Sequence, residues 1–279
     1  MRIANLSGRL VLLTDAGWTD VERASRGQFS ADPQEIFERW DQFRDWAAQA
    51  PSAGDVLLKE SELHAPVPRP RQILAIGLNY RDHADESGFA VPEQPPVFTK
   101  FVSAVAGPRA EVVLPDGSVD WEVELVAVIG RHAWQVGEDQ AWEHVAGLTV
   151  GQDISERDLQ MSGPVPQFSL GKSYPGFAPM GPYLVTPDEF ADPDNLELGC
   201  AIDGEEVQKG RTSDLIFSVP QLVARLSAVL PLLPGDVIFT GTPAGVGLGR
   251  SPRRFLAEGE ELVSYIEGIG EMRHRMVRA

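Results

Sequence analysis

A mainly β fold with some helix, an α+β architecture, is what this 279-residue sequence predicts, and three observations carry it. Beyond Gln72, short β-type runs recur about every ten residues, separated by Gly, Pro and Asp turns. Three stretches keep helical spacing instead. The composition, 43% apolar and 23% charged, is the ordinary globular balance for one large domain or a large and a small one.

Residues 1–50 open with two or three short strands (RIANL, RLVLLT, GWTDVE). A helix follows from Asp32-Pro33, because Asp caps a helix and Pro suits its first turn. Ile36, Trp40, Phe43 and Trp46 fall at helical spacing, a stripe that reads as packing rather than a cofactor site. HAPVPRPRQ, with Pro66, Pro68 and Pro70, reads as an extended connector. It sets a small N-terminal α+β domain, 1–68, apart from a larger domain, 73–279.

The runs of the larger domain are ILAIGL, PVFTKF, VELVAVIG, VAGLTVGQDI, GPYLVT, LELGCAID, DVIFTGT, ELVSYIEGIG and EMRHRMV. So many short strands argue for a β-sandwich or β-roll. Helices interrupt it near EDQAWEHVAG and in SVPQLVARLSAVLP, where Leu222, Leu226 and Val229 keep the spacing until Pro231.

Several function classes drop out. A net charge of −17, from 41 acidic and 24 basic residues, opposes phosphate backbones and anionic lipid, so neither nucleic acid nor membrane is an expected partner. With Cys200 as the lone cysteine, an intrachain disulfide and a thiolate zinc cluster are excluded, and its strand-like context suits a buried small hydrophobe. MRIANLSGRLVLL lacks the charge and apolar length of a signal peptide, and no run approaches the ~20 apolar residues of a membrane span. A reducing cytoplasm is the expected compartment. GTPAGVGLG has the look of a phosphate loop but lacks the Lys-Ser/Thr pair, so its glycines read as a sharp turn or a close approach of backbone to a small ligand.

In VDWEVELVAVIG, residues 119–130, Asp120, Glu122 and Glu124 alternate with apolar residues, and a period of two puts the three carboxylates on one face. That face is either the wet side of an antiparallel sheet or a site where Glu122 and Glu124 converge on a hard cation. In GLNYRDHADESG, His83 and Glu86 are three residues apart, on one face of a helical turn, where a carboxylate can orient an imidazole as a general base; the spacing is also common by chance. GQDISERDLQ puts Asp153 at the end of an apolar strand, as a ligand or a turn former, with Arg157 and Gln160 following. Lys172 lies in the Gly- and Pro-rich FSLGKSYPGFAPMGP. A third carboxylate, a lysine to offset the charge and a nearby base are the parts of a Mg²⁺ site for keto acids.

With PPVFTKF, DGEEVQKGRTSDLIF and LLPGDVIFTGTPAGVG, these segments resemble the fumarylacetoacetate hydrolase (FAH) superfamily, in the family's order, over residues 73–270. The resemblance implies an FAH-type mixed β-sandwich roll and a homodimer formed through residues 73–279, with the N-terminal module peripheral. It implies Mg²⁺ or Mn²⁺ held by Glu122 and Glu124 of E-x-E and by Asp153 of G-x-D-x-S. His83 and Glu86 match a base dyad on a lid, Lys172 a lysine near the metal, and Arg157, Gln160 and Thr242 the substrate pocket. Asp120 matches no family ligand and reads as a rim residue or a group behind the ligands. Ile76 stands where the founding enzyme's site has a further aspartate, which points to the smaller bacterial type, the 2-hydroxyhepta-2,4-diene-1,7-dioate isomerases and acylpyruvases.

The expected activity is Mg²⁺-dependent cleavage of a C–C bond in an acylpyruvate such as fumarylpyruvate or acetylpyruvate. His83, oriented by Glu86, would activate water, and pyruvate would leave as an enolate stabilised by the metal. The same site would serve oxaloacetate decarboxylation or isomerisation of 2-hydroxyhepta-2,4-diene-1,7-dioate (5-carboxymethyl-2-hydroxymuconate). A catalytically silent scaffold would be expected to lack a ligand or a dyad member, and none is missing.

Overall fold

The computed structural model describes residues 1–50, 54, 56–82 and 91–278. The first strands, β1 (Arg2–Leu6), β2 (Arg9–Thr14) and β3 (Gly17–Asp20), follow the predicted runs. Ser7 and Gly8 join β1 to β2 with φ of 50° and 84°, the two positive angles of a tight hairpin. The third run stops at Asp20 because its side chain accepts from Arg23 N (3.0 Å) and so caps the short helix α1 (Val21–Ala24). Asp32 accepts from Gln34 N (2.9 Å) ahead of a 3₁₀ turn, Glu35–Arg39, that leads into α2 (Trp40–Ala47). Ile36, Trp40 and Phe43 are buried and Trp46 packs against them, so the aromatic stripe is core, as expected.

The chain continues through β4 (Leu63–His64), β5 (Ile73–Ile76), β6 (Val97–Thr99), β7 (Val105–Ala106), β8 (Glu111–Leu114) and β9 (Val119–Asp120). Next come β10 (Val123–Ile129), β11 (Val145–Gln152), β12 (Ser155–Glu156), α3 (Arg157–Gln160) and α4 (Phe168–Gly171). The rest is β13 (Ala178–Val185), β14 (Glu197–Ile202), β15 (Glu205–Arg211), α5 (Val219–Ser227), β16 (Val237–Phe239), β17 (Glu261–Ile266) and β18 (Gly270–Arg278).

One sheet runs β3-β2-β1-β13-β11-β10-β16-β5-β6, with β4 on β1 and β7 on β13; a second runs β15-β14-β17-β18-β8; β9 and β12 pair alone. The sheets face each other where β10 and β11 meet β14 and β17, and β13 meets β18. Covered on both faces, β10 and β11 are buried at every residue, which is why VELVAVI reads as nearly continuous hydrophobicity. This mixed α+β, mostly β roll is the expected fold class. Residues 1–68 share its sheet, since β1 pairs antiparallel with β13 (Arg2↔Val185), and they share its core.

All nine predicted runs form strands. EDQAWEHVAG, expected to be a helix, is a 3₁₀ helix over Glu138–His144, whose larger rise suits a short span between Gly137 and β11. Helix α5 buries Leu222 and Leu226 but ends at Ser227, so Val229 is 79% exposed rather than part of the stripe. Cys200 lies buried in β14, its thiol pushed up by burial. Among the described residues no helix is long and apolar enough to cross a membrane.

His274 in β18 is fully buried, and its Nε2 donates to the Gly107 carbonyl (3.1 Å), leaving Nδ1 without a partner among the described residues. Burial pushes this imidazole down from 6.5 to about 4, against the hydrogen bond to Gly107. The unfolded chain therefore takes up a proton that the folded one refuses as pH falls from 6.5 toward 4. His274 should thus cost about 3 kcal/mol of stability across that window. In urea denaturation, the advantage of wild type over H274Q should shrink by about that amount between neutral pH and pH ~4; a pH-independent difference would rule out a buried neutral imidazole.

Candidate active site

The ladder breaks between β9 and β10, and side-chain amides fill the gap. Gln152 Oε1 accepts from Glu122 N (2.8 Å), Gln208 Oε1 accepts from Val123 N (3.0 Å), and Asp153 N donates to Glu122 O (2.9 Å). The break brings Glu122 on one strand end and Asp153 on another to the same place. The wet-face alternative fails, because Asp120, Glu122 and Glu124 are 0%, 7% and 1% exposed. Glu122, Glu124 and Asp153 each offer an oxygen, all within 4.8 Å of one another.

Buried carboxylates this close need partners. Lys172, just past α4, donates to Glu122 Oε2 (2.7 Å) and Asp153 Oδ2 (2.6 Å). Lys100, just past β6, pairs with Asp153 and reaches the Ile154 carbonyl (3.3 Å). Arg157, the first residue of α3, pairs with Asp120 (2.8 Å) and Glu122 (2.7 Å) and donates to Gln160 Oε1 (2.9 Å). Asp120 also accepts from Gly247 N (2.7 Å) and Leu248 N (2.9 Å). It is a buried hub behind Glu122, so of the two readings the group behind the ligands holds and the rim does not.

The glycines of GTPAGVGLG make the close approach expected of them, but toward the chain's own carboxylates. Gly241 N donates to Glu124 Oε2 (2.8 Å) with φ at 101°, and a Cβ there would lie 2.7 Å from Asn79 Cβ. A Cβ at Gly247 would lie 1.8 Å from the Arg254 carbonyl oxygen.

Burial, with the charges of Asp153 and Glu122 added to it, raises the Glu124 carboxyl well above the usual range. Burial opposes the Lys172 ammonium, but Asp153 and Glu122 outweigh it and the net shift is upward. At Lys100 burial wins over Asp153, and the ammonium is pushed down to about 8.

A cavity of about 890 Å³ opens over the cluster, lined by Glu122, Glu124, Arg157, Gln160, Lys172 and Thr242 together with apolar Ile76, Phe98 and Phe168. Asp153 is fully buried beneath, among the two lysines. Thr242 donates its hydroxyl to the Val123 carbonyl (2.8 Å) and accepts from Gln208 Nε2 (2.8 Å), so only a lone pair remains for a ligand. His83 and Glu86 lie outside the described residues. Sequence reasoning passed over Lys100, whose only signal is a lysine between aromatic residues in PVFTKF. It also passed over Asn79, which bonds Phe217 N (2.8 Å), Phe217 O (3.0 Å) and Thr240 O (2.7 Å) and so pins the chain at the end of β5.

The donor set fits a hard divalent cation. All three donors are carboxylate oxygens, and ligands about 2.1 Å from Mg²⁺ would stand about 3–4 Å apart, a span that the 4.8 Å limit on the three oxygens accommodates. With all four ionised, the carboxylates of Asp120, Glu122, Glu124 and Asp153 would outnumber the cations Lys100, Arg157 and Lys172 by one, and Glu124, whose carboxyl is raised, is the one that a bound cation would keep ionised.

Comparison with known proteins bears on the same region. The family model "Fumarylacetoacetate (FAA) hydrolase C-terminal" matches residues 72–277. The human protein oxaloacetate tautomerase FAHD2A, mitochondrial, is 45% identical over 238 residues, 84% of this chain and 74% of that one. The crystal structure of a Mycobacterium smegmatis protein assigned as HpcE superposes with a TM-score of 0.95 at 56% identity, covering 100% of both chains. Fumarylpyruvate hydrolase from Pseudomonas aeruginosa, solved with Mn²⁺ and pyruvate, gives 0.69 at 36% identity over 75% of this chain and 91% of that one.

Losing one of three anionic donors should cost more than the ~10–100-fold typical of losing an outer partner of a metal site. Calorimetric titration of Glu124→Ala with Mg²⁺ or Mn²⁺ should therefore show at least that drop in affinity. Unchanged affinity would mean that the cation is held elsewhere.

Proposed function

Because the chain belongs to the fumarylacetoacetate hydrolase family, a family of enzymes, we propose that it moves a proton at the carbon beside the 2-oxo group of a small 2-oxo acid, with keto–enol tautomerisation of oxaloacetate as its reaction. The observation that carries this reading is the buried carboxylate cluster, ringed by cations and open to the cavity. The likeness to oxaloacetate tautomerases supports it.

A divalent cation held by Glu122, Glu124 and Asp153 would supply Lewis acidity toward the 2-oxo oxygen. The chain's own residues do the rest. Arg157, bound to Asp120 and Glu122, holds a ligand in place. Gln160 turns its carbonyl to Arg157, which leaves its amide N–H groups as donors to the substrate carboxylate. Lys172 presents positive charge on the wall. Ile76, Phe98 and Phe168 exclude water, which strengthens each of these interactions. No histidine lines the cavity among the described residues, and we assign proton transfer to His83, oriented by Glu86.

Hydrolysis of an acylpyruvate is the second reading, favoured by the likeness to fumarylpyruvate hydrolase. It asks more of the site, since His83 must then activate water. The cytoplasm is the proposed compartment, and the buried free Cys200 suits its reducing conditions.

We propose a homodimer as well. Val97, Phe101, Val102 and Leu170 are 45–63% exposed. They share one surface, because Phe101 N bonds Ser173 Oγ (3.0 Å) and Thr99 bonds Ser169 (3.3 Å).

Incubated with oxaloacetate, the Mg²⁺-loaded enzyme should speed enol–keto exchange, followed by NMR as deuterium uptake at C3. Cleavage of fumarylpyruvate or acetylpyruvate without faster exchange would favour the second reading. His83→Ala should slow exchange by ~10²–10⁴-fold; an unaffected rate would remove His83 from the mechanism. Light scattering should give about twice the 30.4 kDa chain mass; a single-chain mass at micromolar concentration would exclude the dimer.

A further inference from the structure

The cavity over the cluster carries a cation that the chain leaves uncommitted. Arg253 lines the cavity from the loop after Gly247, beside Leu248 and Phe255. It is exposed, and among the described residues it takes part in no hydrogen bond, ion pair or ring contact. The two other arginines of RSPRRF are engaged. Arg250 donates to the carbonyls of Val207 (2.8 Å) and Gly245 (3.3 Å) and lies 5.6 Å from the Trp121 ring centre. Arg254 pairs with Glu205 (2.9 Å) and Glu260 (3.5 Å). The other two cations on the wall, Arg157 and Lys172, are bound to the carboxylate cluster.

Among the cations that line the cavity, Arg253 is thus the one whose guanidinium is not already bound to a carboxylate of the described residues. Its planar fork suits a carboxylate held by two N–H donors. A cavity of about 890 Å³ also has room beyond a two- or three-carbon fragment held at the cluster.

We propose that Arg253 receives the distal carboxylate of the substrate, and so selects 2-oxo dicarboxylates over 2-oxo monoacids. This rests on the reading that the carboxylate cluster takes the 2-oxo end. Arg253 is then a specificity residue at the far end of the ligand, with no part in the proton transfer.

The test pairs 2-oxoglutarate with 2-oxobutyrate as probes, titrated calorimetrically into the Mg²⁺-loaded full chain. Wild type should bind the diacid about tenfold more tightly, the scale of one charge-assisted contact at an open site. Arg253→Gln should erase most of that advantage, and Arg253→Lys should restore part of it, since it keeps the charge and loses the fork. With oxaloacetate as substrate, the change should fall on KM far more than on kcat. A wild type that binds 2-oxobutyrate as tightly as 2-oxoglutarate, or an Arg253→Gln variant that keeps the full advantage, overturns the assignment of Arg253 alone. A wild type that binds neither probe overturns the reading of the cluster, and the assignment with it.

Discussion

Asp120, Glu122, Glu124 and Asp153 lie at 0–7% exposure inside the roll, where an unpaired carboxylate would not stay ionised. Every one of them is answered by a donor from a distant part of the chain: Lys100 after β6, Arg157 in α3, Lys172 after α4, and the main chain of Gly241, Gly247 and Leu248 after β16. No local segment could supply that set. It assembles only when β16 inserts between β10 and β5 and the loop that follows it runs back across the start of β10. Removing one partner from such a buried pair typically costs about 3–5 kcal/mol, so the topology and the charge pairing hold each other in place.

The pairing is also incomplete in a useful sense. Four carboxylates face three cations, and the raised Glu124 carboxyl is the one left without a cation, which gives a dication a reason to be held there in place of a proton. With it bound, the site would carry one positive charge, matched by a single substrate carboxylate. On a chain of net charge −17, that makes the cavity a local exception to a surface that otherwise repels anions.

Much of this was legible in the sequence, because the strands that carry the site are long apolar runs with polar residues only where chemistry needs them. Glu122 and Glu124 stood out for that reason, as did Asp153 at the end of VAGLTVGQD. What escaped detection was set by long-range contact. Lys100 sits in PVFTKF with no local charge pattern to distinguish it from a solvated lysine, and its partner lies 53 residues on. For Asp120 two readings stood open, rim or a group behind the ligands, because the period-two argument assumed one unbroken strand; the ladder stops at Asp120 and resumes at Val123, and the second reading is the one the structure shows. Strand β15, EEVQKGR, was missed because it is a sheet edge, and edges carry charge that hides the alternation.

The glycine-rich loop answers Glu124 and Asp120 through peptide N–H groups rather than through side chains. Such donors have no residue identity to lose: Leu248 could be exchanged for many residues and its amide would still reach Asp120. Gly241 and Gly247 have no such freedom, since any Cβ would collide with Asn79 or with the Arg254 carbonyl. With Gly245, whose Cβ would lie 2.2 Å from the Val207 carbonyl oxygen, the loop is thus written into the sequence as the absence of three side chains, and substitution tolerance along it would follow available space rather than chemical type.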